Sequence, residues 1–434
     1  MTAKLQISSI NSYIDEQLTI EAIGCEENME VTIHASTYDE KQKKFSSHAT
    51  FIADKEGTVS VSSQQPIAGS YVKADPSGLF WSMEHVDSKY GDYYEKTNAD
   101  KVSIDLVLQV EGKEMDAVTI NRYFYMNNTV KETVQHGRIS GSLFHPKQKG
   151  HYPAALILSG SDGVTQEHAA ALLASKGYTT FALAYFGVEG LPKDLENIPL
   201  EYFREATMWL KDHSYVNGDI NLIGHSRGGE LALLLAATFD DYQSVVASAP
   251  SAYMTPGMKN GIFTSVPSWT INQQTLANVK FKFRFKTITS MLKNWVLKKP
   301  ISYLSIWDDT LKNQEKLEKA RIPVENIYPP VMFIAGEDDQ LWPSSQYIKI
   351  MEDNLQNKKA SQYNRYLYYE NAGHFLSFPY SFANLPSNVF MSVSENMILT
   401  FGGSKRGNAE ATKDSWKQIL IFLEESNHSF NKIV

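Results

Sequence analysis

The chain has 434 residues, 42% hydrophobic and 21% charged, with a formal net charge of −8; this is the balance of a globular protein long enough for two or three domains. The acidic excess excludes a general nucleic-acid binder, and a single cysteine, Cys25, excludes an intrachain disulfide or a zinc cluster of cysteines. No run of about 18 apolar residues is present, which excludes an ordinary transmembrane helix. Met1-Thr-Ala-Lys-Leu-Gln6 has no apolar stretch of the signal-peptide kind, and Asn431-Lys-Ile-Val434 does not end in a peroxisomal tripeptide, so a cytoplasmic protein is expected.

The first 125 or so residues carry short alternating patterns. Ile104, Leu106, Leu108 and Val110 mark one strand face, as do Leu18, Ile20 and Ala22, Val31 and Ile33, and Val59 and Val61. Turn sequences such as Asp54-Lys-Glu-Gly57 and Glu111-Gly112-Lys113 separate them. Short strands without a clear helix predict a β-sandwich over residues 1–135.

From about Pro153 the rhythm changes. Ala154–Leu158 is a continuous apolar run, the mark of a parallel strand covered on both faces. A helix over Glu167–Lys176, a strand over Thr179–Ala184 and a helix over Leu200–Leu210 follow. Next come strand Ile220–Ile223, helix Gly229–Thr238, strand Val331–Ala335, helix Ser344–Asn354 and strand Tyr366–Tyr369. Alternating strands and helices predict a doubly wound, mostly parallel α/β sheet over residues 136–434. The stretch of about 251–328 breaks the rhythm and reads as a cap-like insertion. Within it, Lys280-Phe-Lys-Phe-Arg-Phe-Lys286 alternates basic and aromatic residues. As a strand it has one positive face and one Phe face. Either it is an edge strand with the charges in water, or the basic face meets an anionic ligand such as a phosphorylated thioester.

Ile220–Glu230 holds the densest signal. Gly224-His-Ser-Arg-Gly228 lies between an apolar strand and an apolar helix, the strand–turn–helix setting of a G-x-S-x-G nucleophile elbow. Glycines two places either side of Ser226 remove side chains that would collide in so tight a turn. A serine hydroxyl needs a base to take its proton, and the base needs a carboxylate. In this fold the chain order is Ser, acid, His. Only His374 and His428 of the eleven histidines follow Ser226. His428 sits in a polar tail, whereas His374 sits in the short loop Asn371–Phe375 after a strand, so His374 is the expected base.

For the acid, Val331–Ala335 runs into Gly336-Glu-Asp-Asp339, which offers Glu337, Asp338 and Asp339. Related hydrolases place the acid in a Gly-x-x-Asp turn followed by an apolar residue and proline. Gly336, Asp339, Trp342 and Pro343 match, which favours Asp339 over Asp338, and the other carboxylate is expected to cap the turn or the next helix. The oxyanion hole needs two N–H donors. One is the amide of Arg227; the other comes from Ser159-Gly-Ser-Asp-Gly163, with Ser161 first and Asp162 second. The Arg227 side chain has two open roles, holding an anionic leaving group or lying on the surface.

These residues extend into a resemblance over nearly the whole chain. The matching stretches are Pro76–Met83, Arg122–Phe124, Gly137–Phe144, Leu172–Tyr178, Ala182–Phe186, Leu191-Pro192 and Glu201–Phe203, with the elbow extended to Gly228-Gly-Glu230. They continue through Gly336–Asp339 with Trp342, Ala372-Gly-His374, Gly402-Gly403, Ala409, Ala411, Asp414-Ser-Trp416 and Phe422. The chain resembles the acyl-CoA thioesterase and bile acid-CoA:amino acid N-acyltransferase family. That resemblance implies an N-terminal immunoglobulin-like sandwich followed by an α/β-hydrolase domain. It also implies an acyl-CoA substrate and a Ser226–Asp339–His374 triad, with no metal and no cofactor. Family members that transfer acyl groups to amino acids use cysteine as nucleophile and hydrolases use serine, so Ser226 implies water as acceptor. A carboxylesterase and an N-acyltransferase are the alternatives. Ser161-Asp162 departs from the more glycine-rich loop of the mammalian thioesterases, and the basic–aromatic insert departs as well.

Overall fold

The computed structural model describes residues 3–259, 262–282, 284–312, 317–355, 362–394 and 397–429. The N-terminal part is built of strands in two sheets. The larger has the order Asn11–Tyr13, Lys113–Tyr123, Val102–Val110, Glu30–Tyr38, Lys44–Ile52 and Ala68–Gly69, with Glu84–His85 also paired to Lys44–Ile52. The smaller pairs Lys4–Ile7, Ile20–Ile23 and Val59–Ser60. The alternation read from sequence sets which side chains point inward: Ile104, Leu106 and Leu108 are buried, as are Ile20, Ala22, Val31, Ile33, Val59 and Val61. One helical turn, Gly78–Trp81, is buried with them.

The second part is one eight-stranded sheet. Its strands are β1 (Thr129–His136), β2 (Ile139–Pro146), β3 (Tyr152–Leu158), β4 (Thr179–Ala184), β5 (Val216–His225), β6 (Ser244–Ser248), β7 (Val331–Gly336) and β8 (Arg365–Tyr369). They lie in the order β1-β2-β4-β3-β5-β6-β7-β8, antiparallel at β1–β2 and β2–β4 and parallel elsewhere. The doubly wound, mostly parallel sheet expected from the α/β rhythm is present. The boundary expected at 135/136 falls inside a hairpin: Thr129 faces Pro146 and His136 faces Ile139. The change from one sheet system to the other therefore comes before Thr129.

The sheet is accompanied by helices α1 (Glu167–Ala174), α2 (Leu200–Lys211), α3 (Arg227–Thr238), α4 (Phe285–Val296), α5 (Leu304–Leu311), α6 (Ser344–Leu355) and α7 (Lys405–Ser429). The central strands are buried on both faces, which is why they read as unbroken apolar runs. Ala155, Ile157, Ile223, Val246 and Met332 pack on one side with α1 and α7, and this core is continuous with the N-terminal sheets. Leu156, Leu158, Leu222, Val245 and Phe333 pack on the other side with α2, α3 and α6. Polar contacts reinforce the junction. Trp416 Nε1 donates to Asp15 at 3.0 Å, Ser77 Oγ bonds Asn384 Oδ1 at 2.7 Å, and the Tyr94 N–H donates to Asn388 Oδ1 at 2.8 Å.

Between β6 and β7 the chain leaves the sheet through a narrow neck. The Ile322 N–H donates to Ala252 O at 3.0 Å, and the Met254 N–H donates to Ala320 O at 2.7 Å. Beyond the neck lie the hairpin strands Pro256–Lys259 and Ile262–Pro267, then α4 and α5. The strand expected over 280–286 is not formed. Residues 280–282 have no regular structure, Phe283 lies outside the described residues, and α4 begins at Phe285. Phe281 is drawn inward against Phe263 and Trp307. Arg284 and Thr287 both bind Asp309 of α5, which starts the helix where a strand would have continued.

Candidate active site

Strand β5 ends and α3 begins within one residue, Ser226. Its backbone is held at φ 57° and ψ −120°, a conformation that costs about 1–3 kcal/mol and persists only where the surroundings enforce it. They do so here: the Ser226 N–H donates to Ser248 O at 2.8 Å, and its carbonyl accepts the Glu230 N–H at 2.9 Å. A Cβ at Gly224 would collide with the Gly228 carbonyl, and one at Gly228 would press on the carbonyl oxygens of Leu158 and Ser159. The glycines of the motif are thus required by the closeness of β3, β5 and α3. Arg227 opens the helix, so its amide is one of the unpaired N-terminal N–H groups that carry partial positive charge.

The loops after β7 and β8 meet beside this turn. Asp339 Oδ2 lies 2.8 Å from His374 Nδ1, and both residues are buried. An ionised carboxylate only accepts, so Nδ1 carries the proton and Nε2 the lone pair. Nε2 is buried without a hydrogen-bond partner among the described residues. Asp339 is itself fixed by Leu341 N–H at 2.9 Å, Trp342 N–H at 3.2 Å and Ser344 Oγ at 2.7 Å. Asp338 points elsewhere and accepts the Gly403 N–H at 2.9 Å. The expectation that the second carboxylate caps the turn or the next helix is therefore reversed: Asp339 holds that turn while also facing the histidine. His428, in the polar tail, falls in the last turn of α7.

One turn, Phe401–Gly403, fastens both loops. Phe401 O accepts the N–H groups of His374 at 2.8 Å and Gln340 at 3.2 Å. Asn408 Oδ1 adds a bond from the Gly373 N–H at 2.8 Å. Gly402 has φ +82°, and a Cβ there would run into the Asp338 carbonyl. The Gly402-Gly403 pair was visible in the sequence, but nothing local tied it to residues 60 positions upstream.

The loop after β3 is held by two tyrosines, Tyr380 from beyond the His374 loop and Tyr185 from just after β4. The Gly160 N–H donates to Tyr380 Oη at 2.6 Å, and Tyr380 Oη–H donates to Asp162 Oδ1 at 2.8 Å. Tyr185 Oη–H donates to Ser159 O at 2.7 Å. Ser161 and Asp162 are both exposed at the loop tip. Crowding around the Asp162 carboxyl pushes it up to about 6 against the opposing bond from Tyr380; the open side of the loop moderates that shift. Tyr93 reaches the same region from the N-terminal part and packs edge-on against Phe375 and Phe401.

Both chain neighbours of Ser226 are buried. The Arg227 side chain does not lie on the surface. It is buried, 3.3 Å from Glu230, with bonds to Pro256 O and Ser268 Oγ. Glu230 also accepts from Thr255 N–H, Thr255 Oγ1 and Trp269 Nε1. Burial holds the Arg227 guanidinium below its usual range, and Glu230 opposes this. His225 is buried, with Nδ1 3.1 Å from Ser248 Oγ and its ring 5.0 Å from that of His374. Burial, and then the neighbouring His374, hold His225 well below the ordinary histidine range. Sequence reading had assigned it no role.

Among the described residues no group of three or more His, Cys, Asp and Glu side chains is placed to hold a metal. No described helix is long and apolar enough to cross a membrane.

Comparison with known proteins bears on both halves. Residues 198–429 match the model described as BAAT / acyl-CoA thioester hydrolase C terminal, and residues 15–136 match acyl-CoA thioester hydrolase/BAAT N-terminal region. Mouse peroxisomal succinyl-coenzyme A thioesterase is 29% identical over 431 residues, spanning 96% of this chain and 95% of that protein. Human mitochondrial acyl-coenzyme A thioesterase 2 is 28% identical over 418 residues, spanning 95% and 81%. Among solved structures, a dienelactone hydrolase-like protein from Klebsiella pneumoniae aligns over 69% of this chain and 100% of its own, at 15% identity and a TM-score of 0.41.

Proposed function

The chain belongs to the acyl-CoA thioester hydrolase/BAAT family, and from that premise we propose that it hydrolyses an acyl-CoA thioester to a carboxylic acid and CoA. Ser226, His374 and Asp339 act as nucleophile, base and orienting acid. His374 Nε2 takes the Ser226 proton as Oγ attacks the acyl carbonyl. The amide of Arg227 and an amide of the Ser161 loop hold the oxyanion. The imidazolium then protonates the leaving thiolate, and neutral His374 activates water to release the acid. Asp339 fixes the tautomer and stabilises the cation. The observation that carries this reading is the buried 2.8 Å Asp339–His374 pair, with Nε2 unpartnered, beside a serine elbow.

In the same reading the N-terminal sheets form an immunoglobulin-like unit that ends before Thr129. Through Tyr93 this unit reaches Phe375, whose ring lies against His374.

The test is CoA release, followed with a thiol reagent, across acyl-CoAs from acetyl to palmitoyl. Ser226→Ala is expected to lower kcat by about 10³-fold or more. Release that survives this substitution sinks the serine assignment. Cleavage of p-nitrophenyl esters without any CoA release would make the protein a carboxylesterase.

A further inference from the structure

Helix α4 is amphipathic with its apolar face turned outward. Phe285, Ile288, Leu292, Trp295 and Val296 follow the three-and-four spacing of one helical stripe. All five are exposed, with Phe285 at 82%, Val296 at 68% and Leu292 at 54%. The helix is held to the body by its opposite side, where Thr287 is buried and bonded to Asp309. So large a contiguous apolar stripe on a surface helix marks a contact with something apolar.

The charge around it says what kind. Lys280, Lys282, Arg284, Lys286, Lys293, Lys298 and Lys299 fall within twenty residues, and no Asp or Glu occurs between Asp241 and Asp308, in a chain whose net charge is −8. Arg284 is paired with Asp309. Lys282, Lys286, Lys293, Lys298 and Lys299 are exposed and have no acidic partner among the described residues. Lys286 and Lys293 flank the stripe along one edge. A second copy of the chain would bring two such basic clusters face to face, which like-charge repulsion opposes. Nucleic acid would meet the lysines but offer the stripe nothing. An anionic bilayer satisfies both, with acyl chains for the stripe and headgroup phosphates for the lysines.

We propose that α4 docks the protein onto an anionic lipid surface, with Phe285, Leu292, Trp295 and Val296 entering the headgroup–acyl boundary and the lysines meeting the phosphates. The helix lies on the insert that reaches the candidate site through aromatic contacts. Phe281 packs on Trp307 at 4.9 Å, Trp307 on Trp342 at 5.8 Å, and Trp342 on His374 at 5.6 Å. Docking therefore brings the site to the membrane. A role for it in collecting acyl-CoA from the bilayer rests on the hydrolase reading above; the binding does not.

The experiment is co-sedimentation of the full chain with vesicles of equal parts phosphatidylglycerol and phosphatidylcholine, and with pure phosphatidylcholine. Binding is expected to the anionic vesicles alone, and to weaken once salt is raised well above about 0.1 M, where the screening length is about 10 Å. The triple change Lys282→Gln, Lys286→Gln and Lys293→Gln is expected to lower partitioning about 100-fold, at roughly fivefold per lysine. Leu292→Asn with Val296→Asn is expected to abolish it. All five positions are exposed, so an unchanged urea midpoint checks that these variants stay folded.

Three results overturn the proposal: no sedimentation with anionic vesicles, equal binding to neutral vesicles, or a dimer lost in Leu292→Asn/Val296→Asn without vesicle binding. Ser226→Ala is expected to bind vesicles like the parent chain. Failure of catalysis and failure of docking are thereby read separately.

Discussion

Arg227 and Glu230 stand 3.3 Å apart on the helix that starts at Ser226, and both are buried. The pair ties the helix that follows Ser226 to the insert, because the same two side chains bind Thr255, Pro256, Ser268 and Trp269. Removing one partner leaves a buried charge uncompensated. Glu230→Gln is therefore expected to destabilise the fold by about 3–5 kcal/mol. Urea unfolding measures it, and a loss of less than about 1 kcal/mol would show that the pair contributes no more than a surface ion pair.

The two neighbouring carboxylates make a sharper comparison. Asp339→Asn keeps the shape of the side chain but leaves no anion against His374 Nδ1, and kcat on a thioester is expected to fall about 10⁴-fold. Asp338→Asn retains an oxygen that can accept the Gly403 N–H, and its effect is expected to stay within about tenfold, or 1.4 kcal/mol. Equal losses in the two variants would remove the basis for assigning Asp339.

Gly402 tests the clamp on the Asp339 and His374 loops. Gly402→Ala places a methyl against the Asp338 carbonyl at a backbone angle that L residues rarely adopt. The φ strain alone costs about 1–3 kcal/mol, and the collision adds to it. We expect a lower unfolding midpoint together with reduced kcat. Gly137→Ala is the control, with φ +59° but no atom within 4 Å of the added Cβ. Similar behaviour of the two variants would mean the clamp carries no special load.

His168 gives the fold a pH dependence. It is buried between Phe124 and Phe382, with Nδ1 3.0 Å from Thr97 O. Burial first, and then the Lys96 charge, lower its pKa to about 3. The unfolded chain takes up a proton near pH 6.5 that the folded chain refuses. The stability contributed is therefore fully present above pH 6.5 and is lost as pH falls toward about 3. Between those limits this group contributes a slope of about 1.4 kcal/mol per pH unit. His168→Gln is expected to reduce the slope of unfolding free energy against pH by about that amount, as read from urea titrations at stepped pH. An unaltered slope would mean His168 is protonated in the fold.

Much of this protein was readable before its structure because its signals are local. The elbow is contiguous in sequence, and the strands around it are apolar runs with helices between them. Strand β4 begins and ends at the expected residues, Thr179 and Ala184. The readings that missed depend on distant partners. The alternating Lys280–Lys286 stretch has the period of a strand, but Asp309 captures Arg284 and Thr287, and Phe281 is absorbed by Phe263 and Trp307. Glu230 stood three residues from Arg227, the spacing of a helical ion pair, yet only the insert folding over both removes them from water. Strand β6 escaped notice because Ser244-Val-Val-Ala-Ser248 is short and ends in serines. Helix α7 escaped because its apolar residues are sparse among charges.

The neck at Ala252–Met254 and Ala320–Ile322 closes the insert at its base. Its two ends are hydrogen-bonded to one another, so the distance the sheet must span between β6 and β7 does not depend on how much chain is looped out. Lengthening such a loop costs little entropy, about 0.6 kcal/mol for each doubling. The part of the insert away from Arg227 and Glu230, including α4 with its lysines and exposed stripe, is thereby free to change while the strand ends carrying Ser226, Asp339 and His374 keep their spacing. Where such a protein works can then change independently of what it does.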